Sequence, residues 1–171
     1  KSRRIFKTAS SSQHEIRELL QFIFVSEILA PGEKIWLVTP WISNVPILDN
    51  RSGLFSSLDP TWENRLVRLN EILVRLITLG ADVVIVTKPD NHCKDFVLRL
   101  KEDLEIMGGG ERLTVIWRQE LHTKGILTSK ALLTGSMNLT NNGLELWDEQ
   151  VTFDTDARDI AQGRINFESY R

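Results

Sequence analysis

The chain has 171 residues, 42% of them hydrophobic, and its formal net charge is -2. Such a length predicts one domain, residues 1–171, with a sizeable core that removes roughly 70% of the unfolded surface from water. The balanced charge excludes a nucleic-acid binder that relies on global basic charge, so any attraction for phosphate must be local.

A helix and a short strand are the first elements predicted. Ser12 and Glu15 have the spacing of a capping box, which opens a helix by satisfying its first backbone N–H groups. The apolar face of this helix consists of Ile16, Leu19, Leu20, Ile23 and Phe24. Residues 34–39 follow as a short β-rich run. The basic residues among positions 1–7 form either an arm on DNA or a soluble terminus, and the sequence does not choose between them.

A long excursion and a second helix come next. Residues 41–60 are rich in Ser, Asn, Asp, Pro and Gly, and we expect an ordered and often functional segment rather than a linker. Thr61 is predicted to cap a helix that ends at Gly80. The basic side chains of this stretch are Arg65, Arg68 and Arg75. Their helical spacing predicts one basic face, which either follows a nucleic-acid backbone or, in the interpretation we favour, is solvated.

Strands alternate with a third helix in the middle of the chain. Residues 82–87 are an unbroken Val/Ile run, typical of a buried parallel strand. Residues 89–91 make a turn and a cap for the next helix, and residues 113–117 form another strand. The only cysteine, Cys93, is expected to be a small buried residue; a lone cysteine excludes an intrachain disulfide framework and favours a cytoplasmic protein. No apolar run approaches the ~18 residues of a membrane span, so no membrane partner is expected.

The last third of the chain predicts strands and a final helix. Residues 121–127 and 131–133 form a hairpin around a turn at 128–130, residues 148–153 form a strand, and a helix begins at about residue 155. The order β-α-β-α-β, followed by further strands, indicates an α/β fold. We predict a three-layer α/β/α sandwich with a mixed, mostly parallel sheet.

Residues that follow strands in such a fold are candidates for a site. Trp41 either walls a pocket, stacks on a base or packs in the core, and we favour packing. His92 is interpreted as a residue of the first helical turn rather than a second acid or a phosphate contact. The same kind of position is shared by Ser43, Asn44, Lys88 and Asp90.

His122 and Lys124 are the strongest candidates. If residues 121–127 form a strand, the period of two places both side chains on one face. A neutral imidazole can attack phosphorus as a nucleophile, and an ammonium can neutralise a non-bridging oxygen of the transition state. The pair indicates phosphoryl chemistry.

Three further polar residues complete the predicted site. Gly135 permits a close backbone approach, and Ser136 and Asn138 can donate hydrogen bonds to phosphate oxygens. Glu149 can accept the hydrogen bond from the second ring nitrogen of His122. Such a partner fixes the tautomer of an imidazole and stabilises its charged form.

These residues resemble the phospholipase D superfamily, whose mark is H-x-K-x4-D, a short spacer and G-S-x-N. The resemblance implies a phosphodiesterase that acts through a covalent phosphohistidine, with no metal and no other cofactor. Carried over by position, it makes His122 the nucleophile and Lys124 and Asn138 the phosphate binders. Ser136 becomes a further member of that shell, and Glu149 becomes the carboxylate that orients the histidine.

The chain departs from the family pattern in two respects. Ser129 stands where the family has an aspartate, and the spacer before Gly135 is one residue shorter. Because of this departure, a degenerate member of the family that does not hydrolyse its ligand stays an alternative. The sequence also carries one motif where long members carry two. The resemblance therefore implies a homodimer with a shared site, in which the second His122 protonates the leaving group.

A finer resemblance covers four phrases, residues 35–43, 48–53, 87–90 and 135–143. They are similar to the phospholipase-D-like protein of bacterial Dpd systems, which install deazaguanine bases in DNA. This likeness implies a DNA-linked role beside other DNA-modification or restriction proteins. Three functional hypotheses follow: a metal-independent nuclease acting on DNA, a non-catalytic DNA-binding subunit, and, ranked last, a phospholipid phosphodiesterase.

Overall fold

A computed structural model of the protein describes residues 2–7, 13–140 and 149–171. The strands in this part of the chain are β1 Ser2–Lys7, β2 Lys34–Val38, β3 Pro46–Asp49, β4 Leu66–Arg68, β5 Asp82–Thr87, β6 Leu113–Trp117, β7 Gly125–Leu127, β8 Leu132–Gly135 and β9 Glu149–Asp154. The α-helices are α1 Gln13–Leu29, α2 Leu69–Thr78, α3 Asn91–Met107 and α4 Ala157–Glu168, with a short 3-10 helix at Gly110–Arg112.

The strands form one large sheet and one small one. The large sheet has seven strands in the order β1-β9-β8-β7-β2-β5-β6, and the small sheet pairs β3 with β4. In the large sheet β2, β5 and β6 are parallel neighbours, whereas β7, β8, β9 and β1 continue from β2 through antiparallel pairs. Since only β7 and β9 run against the direction of the other strands, the sheet is mixed and mostly parallel, as predicted.

Helices cover both faces of the large sheet. Leu37 and Ile85 belong to a buried cluster with the apolar faces of α1, α2 and α3. The alternate strand residues Trp36 and Val86 belong to a second cluster, to which α4 contributes Phe167. The α/β/α sandwich is therefore confirmed, because successive side chains of each central strand enter opposite layers.

The predicted start of the second helix is wrong. Residues 66–68 are the strand β4, which pairs with β3 inside the long excursion, and α2 begins only at Leu69. The Glu71 carboxylate accepts the Arg68 N–H at 2.9 Å, so the first orphan donor of the helix is satisfied there and not at Thr61. The leucines of β4 and α2 happen to continue one helical period.

The basic start of the chain belongs to the sheet. Ser2–Lys7 pairs antiparallel with β9 as the edge strand β1, an arrangement that neither interpretation of the sequence included. The last helix has Asp156 as its N-cap, close to the predicted position. In the part of the chain that the structure describes, every helix is too short or too polar to cross a membrane.

Candidate functional site

The candidate residues meet at one edge of the large sheet. Val38 pairs with Gly125, Gly125 with Thr134, and Gly135 with Val151. The ends of β2 and β8 and the beginnings of β7 and β9 therefore lie side by side, and the parallel strands β5 and β6 end at the same side. We call this the carboxyl edge, meaning the residues that follow β2, β5, β6 and β8 and precede β7 and β9.

His122 and Lys124 lie at the carboxyl edge, but not in a strand. The ladder of β7 begins at Gly125, so the predicted strand 121–127 is wrong in its first four positions. Its partner β2 ends at Val38, and Pro40 soon afterwards has no N–H to donate to a ladder. His122 is exposed, and Lys124 Nζ donates to the His122 carbonyl oxygen at 2.9 Å. The two residues are brought together by this bond rather than by the period of a strand.

Ser136 and Asn138 are held at the edge by hydrogen bonds, Ser136 to β9 and Asn138 to the end of β2. A Cβ on Gly135 would lie 2.8 Å from Val151 Cα, so the chain can approach β9 only with glycine there. The Gln150 N–H then donates to Ser136 Oγ at 2.9 Å. Asn138 is half-buried, and its Oδ1 lies 3.3 Å from Thr39 Oγ1. This contact ties the Asn138 amide to the end of β2.

The side chain of Glu149 lies outside the described residues, as does all of Asp148. The backbone of Glu149 begins β9 opposite Lys7, which places this residue at the carboxyl edge. Its role as the partner of His122 stays a prediction.

Ser129, the position of the family aspartate, is at the opposite end of the hairpin. It is exposed in the turn between β7 and β8. The hairpin is tied to α1 by other groups: Lys130 Nζ lies 3.3 Å from an oxygen of Glu27, a carboxylate whose side chain is only 1% exposed. Glu27 also accepts the Gly32 N–H at 3.0 Å. The departure at Ser129 is thus separate from the residues that would touch a phosphate.

Thr39 is a site residue that the sequence analysis missed. Its hydroxyl accepts the Leu139 N–H at 3.3 Å and lies 2.8 Å from the Trp41 carbonyl oxygen. Thr39 therefore connects the end of β2 to the segment that carries Asn138. A β-branched hydroxyl residue directly before Pro40 was the available signal, but it is also an ordinary strand ending.

Four side chains, the rim residues Trp41, Ser43, Lys88 and His92, follow β2 and β5 at the same edge. The packing interpretation of Trp41 is wrong, because the residue is 45% exposed, with Lys88 Nζ 4.9 Å from the ring centroid. His92 lies in the first turn of α3 as predicted. It also has a polar partner, since its Nε2 lies 2.7 Å from Ser43 Oγ.

Asp90 lies next to the rim residues, at the start of α3. It caps α3 by accepting the Cys93 N–H at 2.8 Å. Burial acts to raise the pKa of Asp90, but the hydrogen bonds from Cys93 and Trp41 outweigh it and hold the pKa below its usual value. Asp90 is accordingly a carboxylate at neutral pH and a fixed acceptor beside the indole. Cys93 is buried, as expected.

The three arginines predicted to share a helix face do not do so. Arg65 and Arg68 precede α2, and each has a local partner: Arg65 Nη1 donates to Glu71 at 2.9 Å, and Arg68 Nη1 donates to the Asn44 carbonyl oxygen at 2.9 Å. Arg75 lies 3.9 Å from Asp59. These side chains line a groove of about 680 Å³ over α2 and α3. Their positive charge is largely matched within the groove, so they form no basic row.

Known proteins resemble this chain in structure but not in sequence. No family model matches the chain, and no curated protein matches it. Among solved structures, NucT from Helicobacter pylori is similar with a TM-score of 0.60 and 11% identity over 99% of this chain and 96% of NucT.

Two other solved structures share the fold. Nuc from Salmonella typhimurium, a phospholipase D family member, gives 0.59 and 15% identity over 98% of this chain and 90% of Nuc. Phosphatidylserine synthase from Haemophilus influenzae gives 0.63 and 17% identity, but the chain covers only 37% of it. At such identities the likeness concerns the fold alone, and that fold is phospholipase D-like.

Proposed function

We propose that the protein is a metal-independent phosphodiesterase, a nuclease acting on DNA through a phosphohistidine at His122. One observation carries the proposal. Residues from separate segments, Lys124 before β7 and Asn138 after β8, reach the same edge beside His122 through the strand register. The phospholipase D-like fold of the neighbours, whose superfamily cleaves phosphodiesters, supports the same reaction class.

In this reaction a ring nitrogen of His122 attacks phosphorus, and the bond from phosphorus to the leaving oxygen breaks. Lys124 neutralises one non-bridging oxygen, and the Asn138 amide donates to another. The Nδ2 group is the donor end of the Asn138 amide and is the end that serves the substrate. Glu149 accepts from the second ring nitrogen of His122 and stabilises the charge that the ring acquires.

The leaving oxygen needs a proton, and we assign it to His122 of a second protomer across a two-fold axis. The imidazole that has given up its proton then activates a water. The hydroxide attacks phosphorus, the P–N bond breaks, and both histidines return to their starting forms. Ser136 remains in the phosphate-binding shell, where its hydroxyl is held by Gln150.

The test is cleavage of single-stranded and duplex DNA in the presence of a chelator. His122→Asn should lower the rate by at least roughly 10²-fold, the usual minimum for a catalytic acid-base or nucleophilic group. The matched control is His14→Asn, which changes a histidine in α1 and should retain activity. Cleavage that survives His122→Asn would overturn the proposal. Quenching in alkali, which preserves P–N bonds, should leave a nucleotide adduct on the peptide that contains His122.

A catalytically degenerate DNA-binding subunit of a modification or restriction system is the second candidate. The serine at position 129 favours it, and so does a neighbour, TrmBL2, an archaeal chromatin protein with a novel mode of DNA binding, at a TM-score of 0.53. This candidate predicts salt-sensitive DNA binding, with log affinity falling linearly in log salt, and no turnover. The nucleotide adduct on His122 would exclude it.

A phospholipid phosphodiesterase is the third candidate, favoured only by the fold shared with phosphatidylserine synthase. It predicts hydrolysis of phosphatidylcholine vesicles in preference to DNA. A side-by-side assay on both substrates decides between the two classes.

A further inference from the structure

The rim residues have no part in the phosphohistidine chemistry, yet they occupy the same edge. Ser43 donates its backbone N–H to the Leu139 carbonyl oxygen at 2.8 Å, and Ile42 forms a parallel bridge with Leu139. The rim is therefore bonded directly to the segment that carries Asn138. Whatever binds at Asn138 extends over the rim if it continues toward β5.

The indole of Trp41 has the properties of a stacking surface. Trp41 as a whole residue is 45% exposed, although exposing a tryptophan ring forgoes the large free-energy gain of its burial. Lys88 Nζ lies 4.9 Å from the centroid of the ring. An exposed aromatic ring beside an ammonium is the combination that single-stranded nucleic-acid grooves use for bases and backbone.

The Ser43–His92 pair offers a hydrogen-bond donor in either tautomer of the imidazole. If His92 Nε2 accepts from the Ser43 hydroxyl at 2.7 Å, the ring carries its proton on Nδ1 and can donate there. If Nε2 donates to Ser43, the hydroxyl proton is released for another acceptor. In both cases one N–H or O–H remains for an anionic oxygen.

The spacing suits a continuous strand of nucleotides. Lys124 precedes β7 and Lys88 follows β5, with β2 between them in the sheet. Adjacent strands are about 4.8 Å apart, so the two lysines start from backbone positions about 10 Å apart along the edge. One cation at the scissile phosphate and another beside the neighbouring nucleotide fit that separation.

We propose that the rim residues form a nucleotide subsite beside the catalytic phosphate, in which Trp41 stacks one unpaired base and the Ser43–His92 pair and Lys88 bind the adjoining phosphate. The inference rests on the proposed nuclease function and names its substrate: single-stranded DNA or an unpaired end. A paired base has no free face for the indole. The rim offers stacking rather than an array of base-edge contacts, so the subsite tolerates every base.

The experiment measures binding with the full chain carrying His122→Asn, so that no cleavage interferes. The probes are a fluorescent oligothymidylate and an abasic oligonucleotide of the same length. Adding Trp41→Ala should weaken oligothymidylate binding by about 5- to 150-fold, which corresponds to ~1–3 kcal/mol per stacked base. It should leave abasic binding unchanged, and Trp41→Phe should retain most of the affinity. Leu54→Ala, at another exposed apolar residue of the excursion, is the control and should change neither.

A second pair of variants tests the phosphate half of the subsite. Ser43→Ala and His92→Gln should each weaken binding of both oligonucleotides by about 10- to 150-fold, because a hydrogen bond to a charged group contributes ~1.5–3 kcal/mol. Equal loss of both probes in Trp41→Ala would overturn the stacking assignment. A change of solution mass in Trp41→Ala would overturn it too, by identifying Trp41 as a subunit contact. Absence of any DNA binding by the His122→Asn chain would instead count against the proposed function itself.

Discussion

The two halves of the large sheet are built differently. The parallel half, β2, β5 and β6 with α2 and α3, connects each strand to the next through a helix. The motif half, β7, β8, β9 and β1 with α4, connects β7 to β8 through a tight hairpin. A parallel strand contributes one end to the carboxyl edge for every long crossover, whereas an antiparallel pair contributes a beginning and an end within a few residues. For this reason His122, Lys124, Ser136 and Asn138 reach one edge from a short stretch of chain.

The halves also differ in what holds them. The central strands of the parallel half are buried on both faces, as Val83, Val84 and Ile85 show. The motif half contains the two shortest strands of the large sheet, β7 with three residues and β8 with four. It relies on individual polar ties, such as Glu27 with Lys130 and Ser136 with Gln150. Single substitutions should therefore affect stability most where such a tie is buried.

Lys130→Met should give the largest loss of stability. It removes the cation from Glu27, whose side chain is 1% exposed, and an unpaired buried charge costs roughly 3–5 kcal/mol. We expect about 3 kcal/mol, at the low end of that range, because Gly32 N–H still bonds to the carboxylate. Urea denaturation monitored by circular dichroism measures the change.

Lys34→Met is the matched control for this pair. Lys34 Nζ lies 3.7 Å from Glu168, and both side chains are about a third exposed. An exposed pair contributes about 0–1 kcal/mol, so this variant should be close to wild type. If the two variants lose equal stability, the buried pair between α1 and the hairpin contributes no more than an exposed pair, which would contradict the prediction.

Gly135→Ala should come next. Its methyl group would lie 2.8 Å from Val151 Cα and closer still to the Gln150 carbonyl oxygen. Both are backbone atoms of β9, which cannot move aside as a side chain can. Overpacking of this kind costs about 1–3 kcal/mol, and the displaced Ser136 should also weaken phosphate binding. Gly110→Ala, where the methyl group meets nothing within 4 Å, should change little in either a thermal melt or an anion titration.

The comparison of halves also explains what could be predicted from the sequence. The prediction of residues 82–87 is correct, because a buried parallel strand is a continuous apolar run. Residues 113–117 also form a strand as predicted, although this edge strand is partly exposed along its length. In the motif half β7 has only three residues, too few for a period of two to show where it begins. The strand β1 was missed because Arg3 and Arg4 are typical of an exposed terminus, and only pairing with β9 decides otherwise. The G-S-x-N motif depends on local sequence spacing and not on strand boundaries, and its role in a phosphate site stays a prediction.

The helix caps of the two halves can be compared in the same way, with smaller expected losses of stability. Asp90 caps α3 in the parallel half and accepts from Cys93 N at 2.8 Å, while Asp156 caps α4 in the motif half and accepts from Arg158 N at 2.9 Å. Replacement of a capping aspartate by alanine costs about 1 kcal/mol. We expect Asp90→Ala to lose the full amount, about 1 kcal/mol of stability, and to disturb Trp41. Asp156 is exposed, so Asp156→Ala should lose less stability. Thermal melts and tryptophan fluorescence separate the two effects.

The smallest effect should be a pH dependence at the start of α2. Burial acts to raise the pKa of Glu71, but its hydrogen bonds from the Arg65 side chain and the Arg68 N–H outweigh this and lower the pKa from its ordinary value of 4.5. A carboxyl group whose pKa falls on folding adds stability above the unfolded pKa, and that stability is lost as the pH falls through the folded value. Glu71→Gln should thus be less stable than wild type at pH 6 by about 0.5–1 kcal/mol, the range of a capping contact or an exposed ion pair. The difference should shrink steadily below pH 4.5. Glu102→Gln, at an exposed position of α3, should show no such trend, and a gap between Glu71→Gln and wild type that stayed constant from pH 6 to pH 3 would contradict the assignment.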